Sequence, residues 1–455
     1  MNLIQSNSFF CSRIETFKEI KLDILLSERN VYQMDNKDTL KLIYGPTPDS
    51  KHAAYLARKL ATLCVSLGEH PSIRYQQGSP FARDVAAILN DMLTEFKSSN
   101  PAFIPNGDRS DSSRDRGQLL IADRTFDTVS PLMHEYTYQA IANDLLDIDE
   151  GVVSYSVQEN RGNVEKQAVL NEKDELWMDL KYEHIGSLSN IIKEKMADIL
   201  ENNKTASMAN NSGESVSIES MSAAVKQLPE YRQVVSKIGQ HLNLTKQCMD
   251  KFDANLMEVT VLEQTMSTGH DEDGKEFKGP KLVQQLGEMF ENTRLSQLNK
   301  IRLLAIFLMT QKAVSGADRM SLIQAASLSG PEQQVLKNFE RLGQMMQASQ
   351  GPGIGGIFTG LFKGKKAAAA NEDDDGFAPS RHVCELKGIL EDFINGNLSS
   401  DKWVQHGPPP PASGESKVAS VRTRKFGNAN ANTTAYTGGR FMVFVAGGVC
   451  YSEIR

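Results

Sequence analysis

Asp123, Arg124 and Asp127 come nearest, by type and spacing, to an acid–base cluster in this chain. They follow the apolar run at 119–122, which has the composition of a strand buried on both faces. In α/β proteins, the carboxyl ends of such strands are where ligands bind. One hypothesis is therefore a hydrolase or transferase that acts through Asp123 and Arg124. The alternative is that Arg124 holds loop carboxylates and backbone carbonyls together at a domain junction.

A glycine-rich stretch with lysines, residues 351–366, resembles a phosphate-binding loop at first sight. Such a loop requires the pattern G-x-x-x-x-G-K-[ST], whose backbone N–H groups and lysine hold the phosphates. Here Thr359 stands at the first glycine position, and Lys366 replaces the final serine or threonine. We interpret the stretch as a surface loop that binds no nucleotide, with an apolar stripe suited to contact with a partner or membrane.

Two further motifs each lack a required residue. His134 and Glu135 begin like a zinc-protease signature, but Tyr138 stands where the second histidine ligand belongs. The acidic run at 271–274 resembles the start of a calcium loop, and Lys275 interrupts it. No G-x-S-x-G nucleophile motif occurs. The sequence therefore predicts no metal, no cofactor and no enzymatic activity.

The composition is that of a globular protein, with 455 residues, 40% hydrophobic residues and a net charge of −7. This charge provides no basic stripe for nucleic acid, so no nucleic-acid partner is predicted. The longest apolar runs fall short of the ~20 residues that span a bilayer, so membrane contact is expected only through partners. Widely separated cysteines indicate reduced thiols in a cytosolic protein: Cys11, Cys64, Cys248, Cys384 and Cys450.

The hydrophobic pattern predicts the elements that position these residues. Apolar residues recur every three or four positions between 49 and 97, which predicts two amphipathic helices, and residues 20–31 predict a short strand and loop. The runs at 119–122 and 441–445 predict two buried strands of one parallel sheet, each followed by a helix start. The chain between them is predicted to be overwhelmingly helical, which indicates a helical domain inserted into an α/β domain. Loops or linkers are predicted at 104–117, 202–219, 349–380 and 406–439.

A seam of apolar residues with alternating spacings of three and four runs from Val235 to Met266. It predicts one continuous helix of roughly 48 Å at 1.5 Å per residue. Pro229 forbids an uninterrupted helix with the preceding residues, so a long helical hairpin with its turn near Pro229 is expected. Two interpretations remain open: the seam packs within a helical bundle, or the hairpin tip projects and offers a groove to a partner helix.

Residues 120–140 strongly resemble a block of the Sec1-like SM family, which runs as a strand, then DR-x-x-D-x-x-SP, then L-x-HE-x-TYQA. The matching residues are Asp123, Arg124, Asp127, Ser130, Pro131, His134 and Glu135. Shorter matches occur at 73–75, 174–177, 228–231 and 440–455. The resemblance is to the exocytic, plasma-membrane branch of these syntaxin-binding proteins.

The resemblance implies an arch-shaped fold of class α/β plus α. Residues 1–17 would be a remnant of an N-terminal α/β domain. Residues 18–143 and 378–455 would be the two segments of the central α/β domain, and residues 144–377 would form the inserted helical domain. The match is expected to begin at about Ser12 and to stop at Arg455, so the chain is expected to be truncated at both ends and to lack most of the first domain.

The resemblance also implies a function: a SNARE chaperone that binds a syntaxin-type target SNARE and a vesicle SNARE helix without covalent chemistry. By position, the vesicle SNARE contacts fall on Pro229 and Tyr231 at the hairpin turn and on Leu242 along the seam. The expected location is the cytoplasm, with peripheral recruitment to the plasma membrane and vesicle docking sites. A third hypothesis is a nonfunctional truncation product that exposes sheet edges and aggregates.

Overall fold

The structure, a computed structural model, describes residues 13, 24–106, 108, 115–159, 162–197, 229–276, 279–311, 315–349, 380–407 and 440–454. The strands are β1 (Leu25–Glu28), β2 (Val31–Gln33), β3 (Ser72–Gln76), β4 (Gln118–Asp123), β5 (Ile148–Asp149), β6 (Val152–Glu159), β7 (Gly162–Val169), β8 (Trp403–His406) and β9 (Phe441–Ala446). The glycine-rich stretch at 351–366 lies outside the described residues, as do most of the predicted loops at 202–219, 349–380 and 406–439.

The helices, again in chain order, cover both the sheet region and the region between β7 and β8. They are α1 (Thr39–Tyr44), α2 (His52–Ser66), α3 (Pro80–Ser99), α4 (Tyr138–Leu145), α5 (Glu175–Leu180), α6 (Pro229–Asn255), α7 (Met257–Thr268), α8 (Gly279–Phe290), α9 (Gln297–Thr310), α10 (Gly316–Ala325), α11 (Gly330–Ser349), α12 (Glu385–Ile394) and α13 (Tyr451–Ile454). Among the helices that the structure describes, none combines the length and the apolar composition of a membrane span.

The central sheet has the strand order β8-β3-β4-β9. The predicted parallel pairing of the two apolar runs is confirmed, with Leu120 opposite Val443 in a register of six residue pairs between β4 and β9. Strand β3 is also parallel to β4, whereas β8 closes one edge in the antiparallel sense. Residues far apart in the chain therefore share one sheet, and β4 lies in its middle.

Both faces of the sheet are covered, which explains why residues 119–122 of β4 are all apolar. The predicted amphipathic helices are confirmed as α2 and α3, and they pack against Ile73, Leu119 and Ile121 on one face. On the other face, Leu120 and Ala122 pack with residues of α12 and β8. Each strand residue of β4 from 119 to 123 is buried, so the polar Asp123 ends the strand without access to water.

The single long helix predicted from the apolar seam is wrong. Helix α6 ends at Asn255 and α7 begins at Met257, and Leu256 between them has φ −114° and ψ −16°. The Leu256 side chain is buried in the same core as both helices. The apolar spacing continues unchanged through this break, so it cannot distinguish one helix from two helices that share a core.

A three-stranded antiparallel sheet, β5-β6-β7, interrupts the region predicted to be overwhelmingly helical. Glu150 and Gly151 form the turn between β5 and β6, with φ of 48° and 80°. Val153 and Tyr155 are buried on one face of β6, while Ser154 and Ser156 between and beside them are exposed. This alternation with period two is a strand signal.

The N-terminal strand prediction was also incomplete, because residues 25–33 form a two-stranded hairpin, β1 and β2.

Candidate functional site

The carboxylate of Asp123 is fully committed to neighbouring groups. Its Oδ2 accepts hydrogen bonds from the hydroxyls of Tyr44, at 2.5 Å, and Ser79. Its Oδ1 accepts from the backbone N–H of Thr125 at 2.9 Å and from the Thr125 hydroxyl at 2.5 Å. Burial, together with the nearby Asp123 charge, raises the pKa of Tyr44. Asp123 is 0% exposed and therefore organises the loop after β4; it is not positioned to reach a substrate.

Arg124 joins this loop to the C-terminal end of the described chain. Its two terminal nitrogens donate to both carboxylate oxygens of Glu453, each at 2.7 Å. Its Nε donates to the Asp127 carbonyl at 2.8 Å, and one terminal nitrogen donates to the Gly448 carbonyl at 3.3 Å. Burial opposes the charge of Arg124, but the bonds to Glu453 outweigh it and raise the arginine pKa. The expectation that Arg124 ties carboxylates and carbonyls together is confirmed.

Asp127 and Ser130 attach the same loop to the start of α12 and to the segment before it. Asp127 Oδ1 accepts from the backbone N–H groups of Val129 and Ser130 at 3.0 and 2.9 Å. Asp127 Oδ2 accepts from the Ser130 hydroxyl at 2.5 Å and from the Glu385 N–H at 3.2 Å. Ser130 Oγ also lies 2.9 Å from His382 Nε2. The DR-x-x-D-x-x-SP pattern thus encodes a set of side-chain ties between remote parts of the chain.

His134 attaches the loop to the helical region. His134 Nδ1 lies 2.8 Å from Glu263 Oε1 on α7, and an Arg302 terminal nitrogen lies 2.7 Å from His134 Nε2. Arginine can only donate, so Nε2 accepts and Nδ1–H donates to Glu263. Arg302 also forms two bonds with Asp144, at 2.7 and 2.6 Å. His134 is therefore a neutral structural link, and no group of His, Cys, Asp or Glu within the described residues could hold a metal.

The remaining two residues of the block, Pro131 and Glu135, differ in their exposure. Pro131 lies in the short 3₁₀ turn Ser130–Leu132 and is exposed, whereas Glu135 is half-buried. A cavity of about 470 Å³ lies elsewhere, between the β5-β6-β7 sheet and α6. Its lining includes Asp149, Gln247 and Lys251 but no residue from 123 to 135. The block is thus a structural junction and not the wall of that cavity.

Helix α6 is anchored by a buried polar cluster. Asp174 Oδ2 lies 2.8 Å from Lys237 Nζ and 3.2 Å from His241 Nε2. On its other side, His241 Nδ1 lies 3.1 Å from the Tyr138 hydroxyl. The His241 ring stacks on Trp177 at an interplanar angle of 18°, with the ring centres 6.2 Å apart. Burial alone would raise the pKa of Asp174, but the bonds from His241 and Lys237 outweigh it and lower this pKa, so the carboxylate stays charged.

Leu242 does not lie in the buried seam, contrary to the sequence prediction. Its side chain is 43% exposed, whereas the neighbouring His241 and Leu244 are 0% exposed. The buried stripe of this part of α6 runs through Ile238, His241, Thr245 and Cys248, and Leu242 lies about 100° around the helix from His241. Gly239, one turn before Leu242, is also exposed, and a Cβ built on it would meet no atom within 4 Å. Leu242 and Gly239 therefore share an open outward face of α6.

The expected hairpin turn is only partly within the described residues. Helix α6 begins at Pro229, where the missing N–H costs nothing because the first N–H groups of a helix have no partner in the helix. Tyr231 lies in the first turn of the same helix, about 17 Å along the axis from Leu242. Residues 198–228, which would form the other arm, lie outside the described residues. Thus the structure places the three expected contact residues on one helix.

Several residues of these networks had no sequence assignment. Glu263 offered a signal, because it is a charged residue at a position of the apolar seam, and such a residue needs a buried partner. Asp174 belonged to a short block matched only by resemblance. Glu453 likewise belonged to the short match at 440–455, and its partner Arg124 is remote in the chain. His241 had no local signal, since its partner Tyr138 is also remote.

The model of the Sec1 family matches residues 2–455, ten residues earlier than the start expected near Ser12. The chain belongs to the Sec1 family. Family membership and the committed bonds of Asp123 and Arg124 together argue against the hydrolase or transferase hypothesis. The protein transport protein sec1 of Dictyostelium discoideum is 30% identical over 99% of this chain and 74% of that protein. The SNARE-interacting protein KEULE of Arabidopsis thaliana is 23% identical over 94% of this chain and 65% of that protein.

Solved structures show the same fold. The Unc18–syntaxin 1 complex from Monosiga brevicollis matches with a TM-score of 0.70 and 24% identity, over 95% of this chain and 70% of that chain. The SM protein Vps45 in complex with the Qa SNARE Tlg2 matches with a TM-score of 0.58 and 21% identity, over 79% of this chain and 60% of that chain. The mixed architecture of helices and sheets is therefore that of the SM proteins.

Proposed function

We propose that this chain is a SNARE-binding regulator of vesicle transport, which acts by holding SNARE helices and not by covalent chemistry. The observation that carries the proposal is the fold match to Unc18 bound to syntaxin 1 and to Vps45 bound to a Qa SNARE. The family match along the chain supports it. The partner proposed first is accordingly a syntaxin-type SNARE.

The proposal includes a division of the chain into domains. Residues 1–17 would be the remnant of an N-terminal α/β domain, and residues 18–143 and 378–455 would form the central α/β domain. Residues 144–377 would form the inserted helical domain. The parallel pairing of β4 with β9 supports a sheet built from two separated segments. The tie of His134 to Glu263 would then hold the two domains together, and the tie of Ser130 to His382 would join the two segments of the central domain.

A vesicle SNARE helix is the second partner that we propose, and α6 is the surface proposed to bind it. Exposed leucines contribute favourably when a partner covers them, because apolar area leaves water. Leu242 provides such area, and Gly239 beside it leaves room for the backbone of an approaching helix. Pro229 and Tyr231 would contact the partner nearer the start of α6. A helix laid along an exposed apolar row is a common mode of peptide recognition.

The proposed setting is exocytosis, with the protein in the cytoplasm and recruited to the plasma membrane and to vesicle docking sites through its SNARE partners. The resemblance of the block at 120–140 to the exocytic branch supports this setting. Its test is whether a fluorescently tagged chain concentrates at the plasma membrane in cells that contain the cognate syntaxin, and disperses when that syntaxin is depleted.

The decisive experiment measures binding of the purified chain to a syntaxin cytoplasmic domain and to a vesicle SNARE motif, separately and together, by calorimetry. We expect Leu242→Arg to weaken vesicle SNARE binding by about 30-fold or more, because a charge would replace a central apolar contact. Met320→Arg is the matched control, because Met320 is 73% exposed and lies on α10 and not on α6. Equal binding by Leu242→Arg and Met320→Arg would refute the α6 assignment, and no binding of either SNARE by the wild type would refute the function.

A further inference from the structure

Lys237 and His241 occupy positions i and i+4 of α6, and both contact the same carboxylate oxygen of Asp174. The geometry points to these three residues as positioning residues for partner binding: they fix the rotation of α6 about its own axis and thereby the direction in which Leu242 faces. This inference rests on the proposed function of α6 and adds a role for residues that do not touch the partner.

The anchors come from several elements, which is what makes the rotation specific. Asp174 precedes α5, Trp177 lies within α5 and Tyr138 begins α4. All three contact the His241 ring, and His241 is 0% exposed. A turn of α6 by about 20° would displace a side chain on its surface by about 2 Å, given a helix radius of 5–6 Å with side chains. That displacement would break hydrogen bonds of 2.8–3.2 Å.

The apolar contacts of α6 do not supply the same restraint. Ile238, Leu244 and Cys248 hold the helix against the core, but hydrophobic contact is non-directional. Hydrogen bonds require both distance and angle, so the Asp174 cluster selects one rotation among those that the apolar face permits. Leu242 is adjacent to His241 in sequence, and it therefore faces about 100° away around the helix. Fixing the ring of His241 fixes the outward direction of Leu242.

Lys237 offers a clean test because its side chain is 44% exposed, so its loss leaves the core intact. Lys237→Met removes the bond to Asp174 and keeps the aliphatic stem, whereas Lys237→Arg keeps a donor. Asp174→Asn keeps an oxygen for the bond from Trp177 N–H, the cap of α5, and loses the charge that holds Lys237 and His241. Lys195→Met is the control, because Lys195 forms an exposed pair with Asp179 that includes no residue of α6.

The experiment titrates the full chain with a labelled vesicle SNARE motif and measures Kd together with the melting temperature. We expect Lys237→Met and Asp174→Asn to weaken binding by about 3- to 10-fold, while Lys237→Arg and Lys195→Met bind as the wild type does. The melting temperature of Lys237→Met should stay within about 2 °C of the wild type. A purely structural role would not predict the next result: in a Leu242→Ala background, Lys237→Met should cause no further loss.

Each contrary outcome has a distinct meaning. Wild-type affinity for Lys237→Met, or the same loss with and without Leu242, would overturn the positioning role while SNARE binding stands. Unchanged affinity for Leu242→Ala would overturn both the positioning role and the contact at Leu242. Failure of the wild type to bind the vesicle SNARE motif would overturn the α6 assignment and this inference, and the proposed function would fall only if the wild type also failed to bind the syntaxin cytoplasmic domain.

Discussion

Replacing Arg124 with methionine would leave the Glu453 carboxylate charged, buried and without its main partner. The side chains of Arg124 and Glu453 are only 6% and 0% exposed, and two bonds of 2.7 Å join them. Removing one member of a buried pair typically costs about 3–5 kcal/mol, because the remaining charge stays in a low-dielectric environment. We expect Arg124→Met to lower the free energy of unfolding of the sheet region by that amount.

An exposed pair provides the matched control. Arg83 lies 2.9 Å from Asp84, and their side chains are 60% and 52% exposed. Arg83→Met should therefore cost about 0–1 kcal/mol, the range of surface ion pairs. Glu453→Gln in the Arg124→Met background should recover part of the loss, because it removes the unpaired charge. It also keeps an oxygen for the Cys450 N–H, which donates to Glu453 at 2.9 Å.

The assay is urea unfolding followed by tryptophan fluorescence. The chain has two tryptophans, Trp177 and Trp403. Trp403 is buried in β8 and packs against the same sheet face as Leu120, so a Trp177→Phe background leaves a probe of the sheet alone. If Arg124→Met and Arg83→Met cost the same within about 1 kcal/mol, or if Glu453→Gln adds to the loss of Arg124→Met instead of relieving it, the reasoning is refuted.

Three further predictions concern other parts of the junction and α6. Burial and the nearby Asp127 raise the pKa of Glu385 to about 7. Ionising Glu385 therefore costs folding stability as the pH rises from its unfolded pKa, about 4.3, through 7. Glu385→Gln should accordingly raise the melting temperature at pH 8 but not at pH 4, and equal effects at both would contradict this. Gly239→Ala should stabilise the chain by about 0.5–1 kcal/mol in thermal unfolding, because a Cβ there meets no atom within 4 Å. His134→Ala should lower the free energy of unfolding in urea by about 2–4 kcal/mol, because it leaves the buried Glu263 carboxylate with one fewer hydrogen-bond donor. A loss below about 1 kcal/mol would show that Glu263 finds another donor and would contradict this prediction.

The sheet was predictable from the sequence because its signals are local. An all-apolar run such as 119–122, ended by Asp123, is typical of a central strand, and the run at 441–445 has the same form. The meander β5-β6-β7 carried a local signal too, since Val153 and Tyr155 alternate with serines. The helix-rich surroundings made that short alternation appear to be part of a helical region. The meander was therefore predictable from the local sequence, and the error lay in treating the whole region as helical.

The networks were harder to predict because their partners are distant in the chain. The spacing of Asp123, Arg124 and Asp127 suggested catalysis as readily as structure. Only the positions of Tyr44 and Glu453 distinguish the two, since they use the bonds that a substrate would need. His241 gave no signal for the same reason, because its role depends on Asp174.

The break at Leu256 gives these two networks separate tasks. Helix α7 is held to the loop after β4 through Glu263, whereas α6 is held to Asp174 through its own Lys237 and His241. Leu256 keeps helical hydrogen bonds on both sides of the break, since its N–H donates to the Phe252 carbonyl at 2.8 Å and its carbonyl accepts from the Thr260 N–H at 2.9 Å. The two helices therefore follow each other closely, each with its own anchor, and α7 provides the attachment to the sheet region. The exposed face of α6 then depends on the Asp174 cluster and on the partner it meets.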